Sequence, residues 1–308
     1  MRVERELAER IREFAPGTLL ERLRARSAEA LRCRALQPIK TQSLQVEDRG
    51  VQFLVRVVSN LRRKPAHNGH KNPFLPYEQD LYVADVSPTH VGILNKYNVV
   101  DLHLLLVTRT FEHQETRLSL ADFQALWRCL VEYDSLAFYN SGPLSGASQP
   151  HKHLQLVPLP LADNGSANSV PLEPLLRRAA AVPGVIGEMC DVSFAHSLMC
   201  WDPKQASDPE AMARQSLDGY EQMLARHRLL PALSDDSRVP GSYNLLVTRR
   251  WMLLVPRVRE CYQTISFNSL AFVGALLVRD PVQMELLRSA GPFAALESVA
   301  AVRPRRAG

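Results

Sequence analysis

Four short runs of apolar and β-branched residues, VQFLVRVV (51–58), LYVADV (81–86), HVGILN (90–95) and LHLLLVT (102–108), succeed one another in the first half of the chain. Runs of this length with turn residues between them read as strands, so a sheet is the element around which the rest must fold. Ahead of them, residues 2–36 are rich in Glu, Arg, Leu and Ala, and Leu7, Ile11 and Phe14 are spaced 4 and 3 apart. That spacing predicts an amphipathic helical segment forming an outer layer. Ser119 followed by Asp122 reads as a capping box, and Phe123, Leu126, Trp127, Leu130 and Val131 continue at helical spacing through Tyr133, which predicts a helix packed on the sheet. LAFYN (136–140) and HKHLQLV (151–157) then read as strands flanking the loop SGPLSGASQP.

The 308 residues, 46% of them hydrophobic and 22% charged, suffice for one large domain or two small ones. The segment PLPLADNGSANSVPLEP (158–174) clusters Pro, Gly, Asn and Ser and marks the boundary between halves, placed at 1–165 and 166–308. Beyond it come a helical stretch over 172–181, a strand-like VSFAHSLM (192–199), a helical segment to about residue 229, and YNLLVTRRWMLLVP (243–256), two short strands joined at Arg249 and Arg250. YNLLVTR echoes the end of YNVVDLHLLLVTR (97–109), a sign of two related halves.

The longest uncharged stretch, 261–278, contains Gln263, Thr264, Ser266, Asn268 and Ser269, too polar for a membrane span. The opening MRVERELAER mixes acids and bases where a signal peptide needs an apolar stretch, so a cytoplasmic protein is expected. Five scattered cysteines (33, 129, 190, 200 and 261) with no C-x-x-C pair argue against a disulfide framework and a cysteine zinc site. A net charge of +5 suits an anionic ligand without demanding nucleic acid.

The chemistry concentrates in residues 140–155, NSGPLSGASQPHKHLQ. In a strand, alternate residues share a face, so His151, His153 and Gln155 point to one side and Lys152 and Leu154 to the other. The glycines and serines just upstream let backbone approach a ligand closely and offer N–H and hydroxyl donors, an arrangement that cradles phosphate oxygens. A neutral imidazole beside such a cradle can attack phosphorus, and the N–P bond it forms is labile enough to be broken again. A His-x-His pair also occurs in metal sites or incidentally, but a metal would want a third good ligand, and the next in-phase residue is Gln155, a poor one. The balance favours group transfer.

NSGPLSGASQPHKHLQLVPLP resembles the signature of the diadenosine tetraphosphate phosphorylases, also called ATP adenylyltransferases, which are transferase members of the histidine triad superfamily. The similarity extends to KNPFLPYEQDLYV (71–83), ILNKYNVVDLHLLLVTRTFEHQ (93–114), DFQALWRCL (122–130), SYNLLVTRRWMLLVPR (242–257) and ISFNSLAFVGALLV (265–278), and is weakest before residue 50 and over 160–190. The resemblance implies an α+β fold of two unequal histidine-triad-like halves, each an antiparallel sheet with helices, as in galactose-1-phosphate uridylyltransferase. Hydrolases of the superfamily carry His-x-His-x-His and nucleotidyl transferases His-x-His-x-Gln, so transfer is implied here. His153 would then be the nucleophile, the His151 carbonyl would fix its tautomer, and Gln155 would hydrogen-bond a non-bridging oxygen of the attacked phosphate. Asn140, Gly146, Ala147, Ser148 and Gln149 would hold the same phosphate, and Lys64 would reach the distal ones.

Asn95 and Lys96 resemble an Asn-Lys pair next to the nucleotide, and Asn244, Thr248, Met252 and Arg257 lie in the strand pair the family places near it. The implied reaction is adenylyl transfer from diadenosine tetraphosphate to His153 with loss of ATP, then to inorganic phosphate to give ADP, with Mg²⁺ bound through the polyphosphate. The partners would be these small molecules, with neither nucleic acid nor membrane. His196 reads as a core or edge histidine, and His67, His70, His90, His103, His113 and His227 as structural or exposed. Lys40, in the arginine-rich leading region that has no clear family counterpart, is left without a role. Two other readings remain: a hexose-1-phosphate uridylyltransferase, whose motif has Pro where Lys152 stands, and a nucleotide-binding module without turnover.

Overall fold

Pro16 and Gly17, the latter at φ 83°, interrupt the helical character of the leading segment, and helix α1 (Leu19–Arg32) starts only after them. The computed structural model describes residues 6–9, 11, 14–58, 72–161, 168–179, 182–202, 204–205, 207–230 and 237–303. After α1 comes a hairpin of β1 (Thr41–Asp48) and β2 (Val51–Val58), then β3 (Tyr82–Asp85), β4 (His90–Leu94) and β5 (Leu104–Thr108). Helix α2 (Leu120–Leu130) follows, opened by the anticipated Ser119–Asp122 capping box, and leads to β6 (Ser135–Ser141) and β7 (His153–Pro158). The second half carries α3 (Glu173–Ala179), β8 (Ile186–Gly187), β9 (Ser197–Cys200), α4 (Pro209–Arg226), β10 (Tyr243–Val247) and β11 (Trp251–Pro256). It closes with a short pair, β12 (Cys261–Tyr262) and β13 (Ile265–Ser266), then β14 (Ala275–Val278), α5 (Pro281–Ala290) and α6 (Pro292–Val299).

Among the described residues, nine strands form one antiparallel sheet in the order β3-β4-β5-β7-β6-β10-β11-β9-β8. The halves meet where β6 pairs with β10, Asn140 opposite Asn244. A second sheet, β1-β2-β14, brings β14 back from the far end of the chain to lie parallel to β2. The expected boundary at 165/166 falls outside the described residues. Read outward from the β6–β10 seam, β6-β7-β5-β4 and β10-β11-β9-β8 present the same succession, and in chain order each unit runs through two strands, a helix and two more strands. The α+β fold and its two related halves are thus present. By that correspondence the counterpart of β5 is β9 and that of β10 is β6, so the echo of YNLLVTR in LHLLLVTR joins strands that hold different places in their units.

Strand alternation gives the sheet two unlike faces. Leu104, Leu106, Leu154, Leu156, Ala137 and Leu254 pack with Leu126 and Trp127 of α2 and Tyr220 and Met223 of α4 in a helix-covered core. On the other face, Phe138, Val157, Leu246 and Leu253 pack with Phe53, Phe272 and Phe293 of the second sheet and its helices. Leu105 and Val107, on that same face, belong instead to a separate cluster around Phe74. His153 and Gln155 stand opposite Val107 and Leu105 in β5, and Gln155 also faces Phe138 in β6, so they lie between these two clusters.

Lys152 goes to the helix-covered face as its position in the alternation requires, and there it is fully buried. Its ammonium donates to Asp122 Oδ2 at 2.7 Å, Glu112 Oε2 at 3.1 Å and the Arg117 carbonyl at 3.2 Å. Asp122, in the first turn of α2, also accepts from His90 Nε2 at 3.0 Å and from the Ser119 backbone N–H at 2.7 Å. One carboxylate therefore ties helix, hairpin and the strand carrying the two histidines together. Burial alone would raise the Asp122 pKa, but the His90 hydrogen bond and the Lys152 charge outweigh it and hold the carboxyl below the usual carboxylate range. A carboxylate depressed in the folded state contributes stability that is complete above its unfolded pKa of about 4 and is lost as pH falls toward the folded value. Asp122→Asn is expected to cost about 3–5 kcal/mol in urea unfolding at pH 7, because it removes the buried partner of Lys152 and leaves only the partly exposed Glu112 carboxylate to meet its charge. The gap from the native protein should narrow as pH drops below about 4.

Candidate active site

The site begins where β6 and β7 diverge. Their register pairs Phe138 with Gln155, and one step further Asn140 and His153 would face each other. There the side chain of Gln114 stands between the two backbones. Its Nε2 donates to the Asn140 carbonyl at 2.9 Å and the His153 carbonyl at 3.3 Å, and its Oε1 accepts from the His153 N–H at 2.9 Å. Gln114 is itself held by its backbone, whose carbonyl accepts from the Tyr139 hydroxyl and whose N–H donates to the Pro150 carbonyl at 2.7 Å. The splayed strand ends are thus satisfied, and the loop between them is free to fold over the gap.

In that loop, Gly142 (φ 85°) and Gly146 (φ 82°) occupy the left-handed region, on either side of a single 3-10 turn, Pro143–Ser145. A Cβ on Gly146 would stand 2.8 Å from the Phe267 carbonyl oxygen, so glycine is required for both its φ and its closeness to the second half.

The two histidines have opposite tautomers, each dictated by an unambiguous neighbour. The Phe74 N–H donates to Asn72 Oδ1 at 3.0 Å, which turns Asn72 Nδ2 to donate to His151 Nδ1 at 2.9 Å. The ring proton of His151 is therefore on Nε2, where it donates to the Thr108 carbonyl at 2.9 Å. His153, in contrast, donates from Nδ1 to the His151 carbonyl at 2.8 Å. Its Nε2 has no hydrogen-bond partner among the described residues and carries the ring's lone pair. Phe74 leans on the His153 ring, centroids 5.1 Å apart, and Phe111 on His151 at 5.4 Å. Burial lowers the His153 pKa to about 4, so the imidazole is neutral around pH 7. Burial lowers that of His151 as well.

Two amides flank this ring. Gln155 Oε1 accepts from His103 Nε2 at 3.0 Å. Asn140 Oδ1 accepts from Asn244 Nδ2 at 2.8 Å and from the Ser269 N–H and hydroxyl at 3.0 and 2.6 Å. Asn244 is held in turn by the buried Arg257, whose Nη1 donates to Asn244 Oδ1 at 2.6 Å. Both amide nitrogens, Gln155 Nε2 and Asn140 Nδ2, lack protein partners among the described residues. A lone pair on nitrogen between N–H donors, with no carboxylate hydrogen-bonded to the ring among the described residues, suits attack on a phosphorus whose oxygens gain negative charge.

A profile of the Ap4A phosphorylase N-terminal domain matches residues 9–178, more than half of the chain. The chain belongs to the Ap4A phosphorylase family. A profile of the ATP adenylyltransferase C-terminal domain matches residues 190–302. Protein APA1 of Saccharomyces cerevisiae is 27% identical over 277 residues, which cover 80% of this chain and 82% of the yeast protein. Diadenosine 5',5'''-P1,P4-tetraphosphate phosphorylase 2 of the same yeast is 27% identical over 270 residues, covering 77% and 79%. The crystal structure of yeast Ap4A phosphorylase Apa2 superimposes with a TM-score of 0.76 at 22% identity, over 93% of this chain and 98% of that one. The crystal structure of Apa2 in complex with Ap4A gives the same TM-score at 23% identity, over 92% and 97%.

In this Ap4A phosphorylase family member, the structure brings His151, His153, Gln155, Asn140 and the loop residues Gly146, Ala147, Ser148 and Gln149 to one end of the β6–β7 pair. Lys64 lies outside the described residues. Asn95 and Lys96 follow β4, but Lys96 is ion-paired with Glu78 at 2.7 Å and the Asn95 amide is engaged with His103. Asn244, read from sequence as a nucleotide contact, stands behind Asn140 with its amide held by Asn140, Ser145, Ser269 and Arg257.

Thr248 and Met252 are displaced from the site. Val247 is level with Ala137 and so with Leu156, three residues or about 10 Å along the strand from His153, and Thr248 lies beyond it in the β10–β11 turn. Met252 points to the helix-covered face, where a Cβ at Gly219 would be 3.2 Å from its Cε. His196 is a core histidine as expected. Just ahead of β9 it repeats the His153 bond, Nδ1 donating to the Phe194 carbonyl at 2.9 Å, but its Nε2 accepts from the Met189 N–H at 2.6 Å and is closed off.

Sequence reasoning missed Asn72, Phe74, His103, Gln114 and Ser269. All five lie inside segments that carry the family resemblance, the only signal that could have pointed to them. For His153 the expected outcome of an NMR pH titration is a single ring proton on Nδ1 and a midpoint far below the ordinary value of about 6.5.

Proposed function

We propose that this protein is a nucleotidyltransferase that cleaves diadenosine tetraphosphate phosphorolytically to ATP and ADP through an adenylyl group carried on His153. The observation that carries the reading is the His153 ring, neutral, anchored at Nδ1 by the His151 carbonyl at 2.8 Å and unengaged at Nε2 between the amides of Gln155 and Asn140. Membership of the Ap4A phosphorylase family supports the substrate, as do the curated yeast relative named a diadenosine tetraphosphate phosphorylase and the Apa2 fold.

In the first step the Nε2 lone pair attacks the α-phosphorus, the bond from that phosphorus to the bridging oxygen breaks, and ATP leaves with the electron pair. The ring then carries a positive charge, which the Nδ1–H bond to the His151 carbonyl stabilises. Charge on the non-bridging oxygens is met by the amide nitrogens of Gln155 and Asn140 and by the 146–149 loop. In the second step an oxygen of inorganic phosphate attacks the same phosphorus, the N–P bond breaks, ADP departs and His153 is neutral again. Gln155 donates in both steps and exchanges no proton, so it favours phosphate over proton-activated water as the second nucleophile. Magnesium enters with the substrate, held by polyphosphate oxygens, and a cytosolic location belongs to the same proposal. No helix among the described residues is long and apolar enough to cross a membrane.

Brief exposure to diadenosine tetraphosphate without phosphate is expected to add one adenylyl group to the intact protein, seen by mass spectrometry and localised to His153. Added phosphate should discharge it as ADP. His153→Ala should abolish the adduct and lower turnover by on the order of 10⁴-fold or more while the protein stays folded. Chelation by EDTA should slow the wild-type reaction and added magnesium restore it. AMP and ATP formed from water alone would overturn the transferase reading.

A further inference from the structure

A glutamine can serve an attacked phosphate only if its amide is turned the right way. Gln155 Oε1 and Nε2 are nearly isosteric, and the wrong orientation would face an acceptor oxygen toward anionic oxygens. The structure contains a chain of donors that settles the orientation from a backbone group outward. The Tyr97 N–H donates to Asn95 Oδ1 at 3.3 Å, so Asn95 presents Nδ2, which donates to His103 Nδ1 at 3.2 Å. With Nδ1 accepting, the proton of the neutral His103 ring is on Nε2, and it donates to Gln155 Oε1 at 3.0 Å. The ring is held against Phe138, centroids 5.7 Å apart, and the His103 carbonyl accepts from the Asn95 N–H at 2.9 Å. Each member can play only one role once the Tyr97 N–H is in place.

We propose that His103, set by Asn95, is a positioning residue that locks the Gln155 amide with its nitrogen toward the attacked phosphate. This rests on the reading of Gln155 as the phosphate donor. It adds to it a residue that touches neither substrate nor His153 yet decides whether Gln155 can act. Burial, only partly opposed by the bond to Gln155, lowers the His103 pKa to about 4 and keeps the ring in the single-proton form that the relay uses. His103 lies fifty-two positions from Gln155 in the chain, and β5 and β7, adjacent in the sheet, bring them together.

The test is a double-mutant cycle read on the rate of adenylyl transfer to the protein in rapid-quench mixing with diadenosine tetraphosphate, with AMP affinity measured alongside. His103→Leu keeps the volume and removes the donor, and is expected to slow adenylylation about 10- to 100-fold, the scale of losing one oriented donor, while AMP affinity changes less than about threefold. His103→Gln restores a donor and is expected to recover most of the rate. In a Gln155→Ala background, His103→Leu should cost less than about twofold, since its effect passes through the missing amide.

An equal loss from His103→Leu in both backgrounds would make His103 merely structural and overturn the proposal, as would equal losses for Leu and Gln. Long-range ¹H–¹⁵N spectra of the wild-type protein give a check that needs no variant: the His103 ring proton is expected on Nε2, and a proton on Nδ1 overturns the relay. A wild-type protein that never forms the adduct would instead refute the proposed function itself.

Discussion

The hydrogen bond from His153 Nδ1 to the carbonyl of His151, 2.8 Å long, is the contact on which the proposed chemistry depends. A carbonyl oxygen can only accept, so the ring proton is confined to Nδ1 and the lone pair to Nε2. The carbonyl is in turn steady because the His151 side chain is clamped between Asn72 and Thr108. Burial keeps the ring uncharged, and no carboxylate is needed to orient it.

The two faces of the strand 151–155 solve opposite electrostatic problems. On the helix-covered face a buried ammonium, Lys152, is matched by Asp122 and tied to Glu112, a charge network that fixes strand to helix. On the other face the groups that hold the His153 ring and its two flanking amides among the described residues are uncharged: the His151 carbonyl, His103, Asn244 and Ser269. Such a neutral, preoriented set of N–H donors can stabilise charge that develops on phosphate oxygens without already being neutralised by a fixed counter-ion. The Arg257 guanidinium is set back behind Asn244 and is satisfied by carbonyl oxygens of Val299, Phe267, Arg259 and Glu260.

The second half contributes through support. Ser269 and Asn244 turn the Asn140 amide, and the Phe267 carbonyl crowds the loop at Gly146. A buried histidine of this half, His196, makes the same Nδ1 bond to the carbonyl two residues back but has Nε2 capped by the Met189 N–H, so no lone pair is available there.

Much of this is legible in the sequence. Strands at 51–58 and 90–94, the capped helix after Ser119 and the hairpin broken at Arg249 and Arg250 all follow from local periodicity, because alternation and capping are decided by near neighbours. The strand TQSLQVED (41–48) and the helices after residue 280 do not stand out in it, and β1 in particular is too polar to announce itself and gains its place only by pairing with β2. At the site, the sequence determined which residues share a strand face, and so named His151, His153 and Gln155. Only tertiary structure decided that Gln114 would hold β6 and β7 apart, that His103 would meet Gln155, and that Met252 would turn to the helices. Those outcomes depend on sheet order and on which face each distant segment packs against, and neither is encoded in the spacing of neighbouring residues.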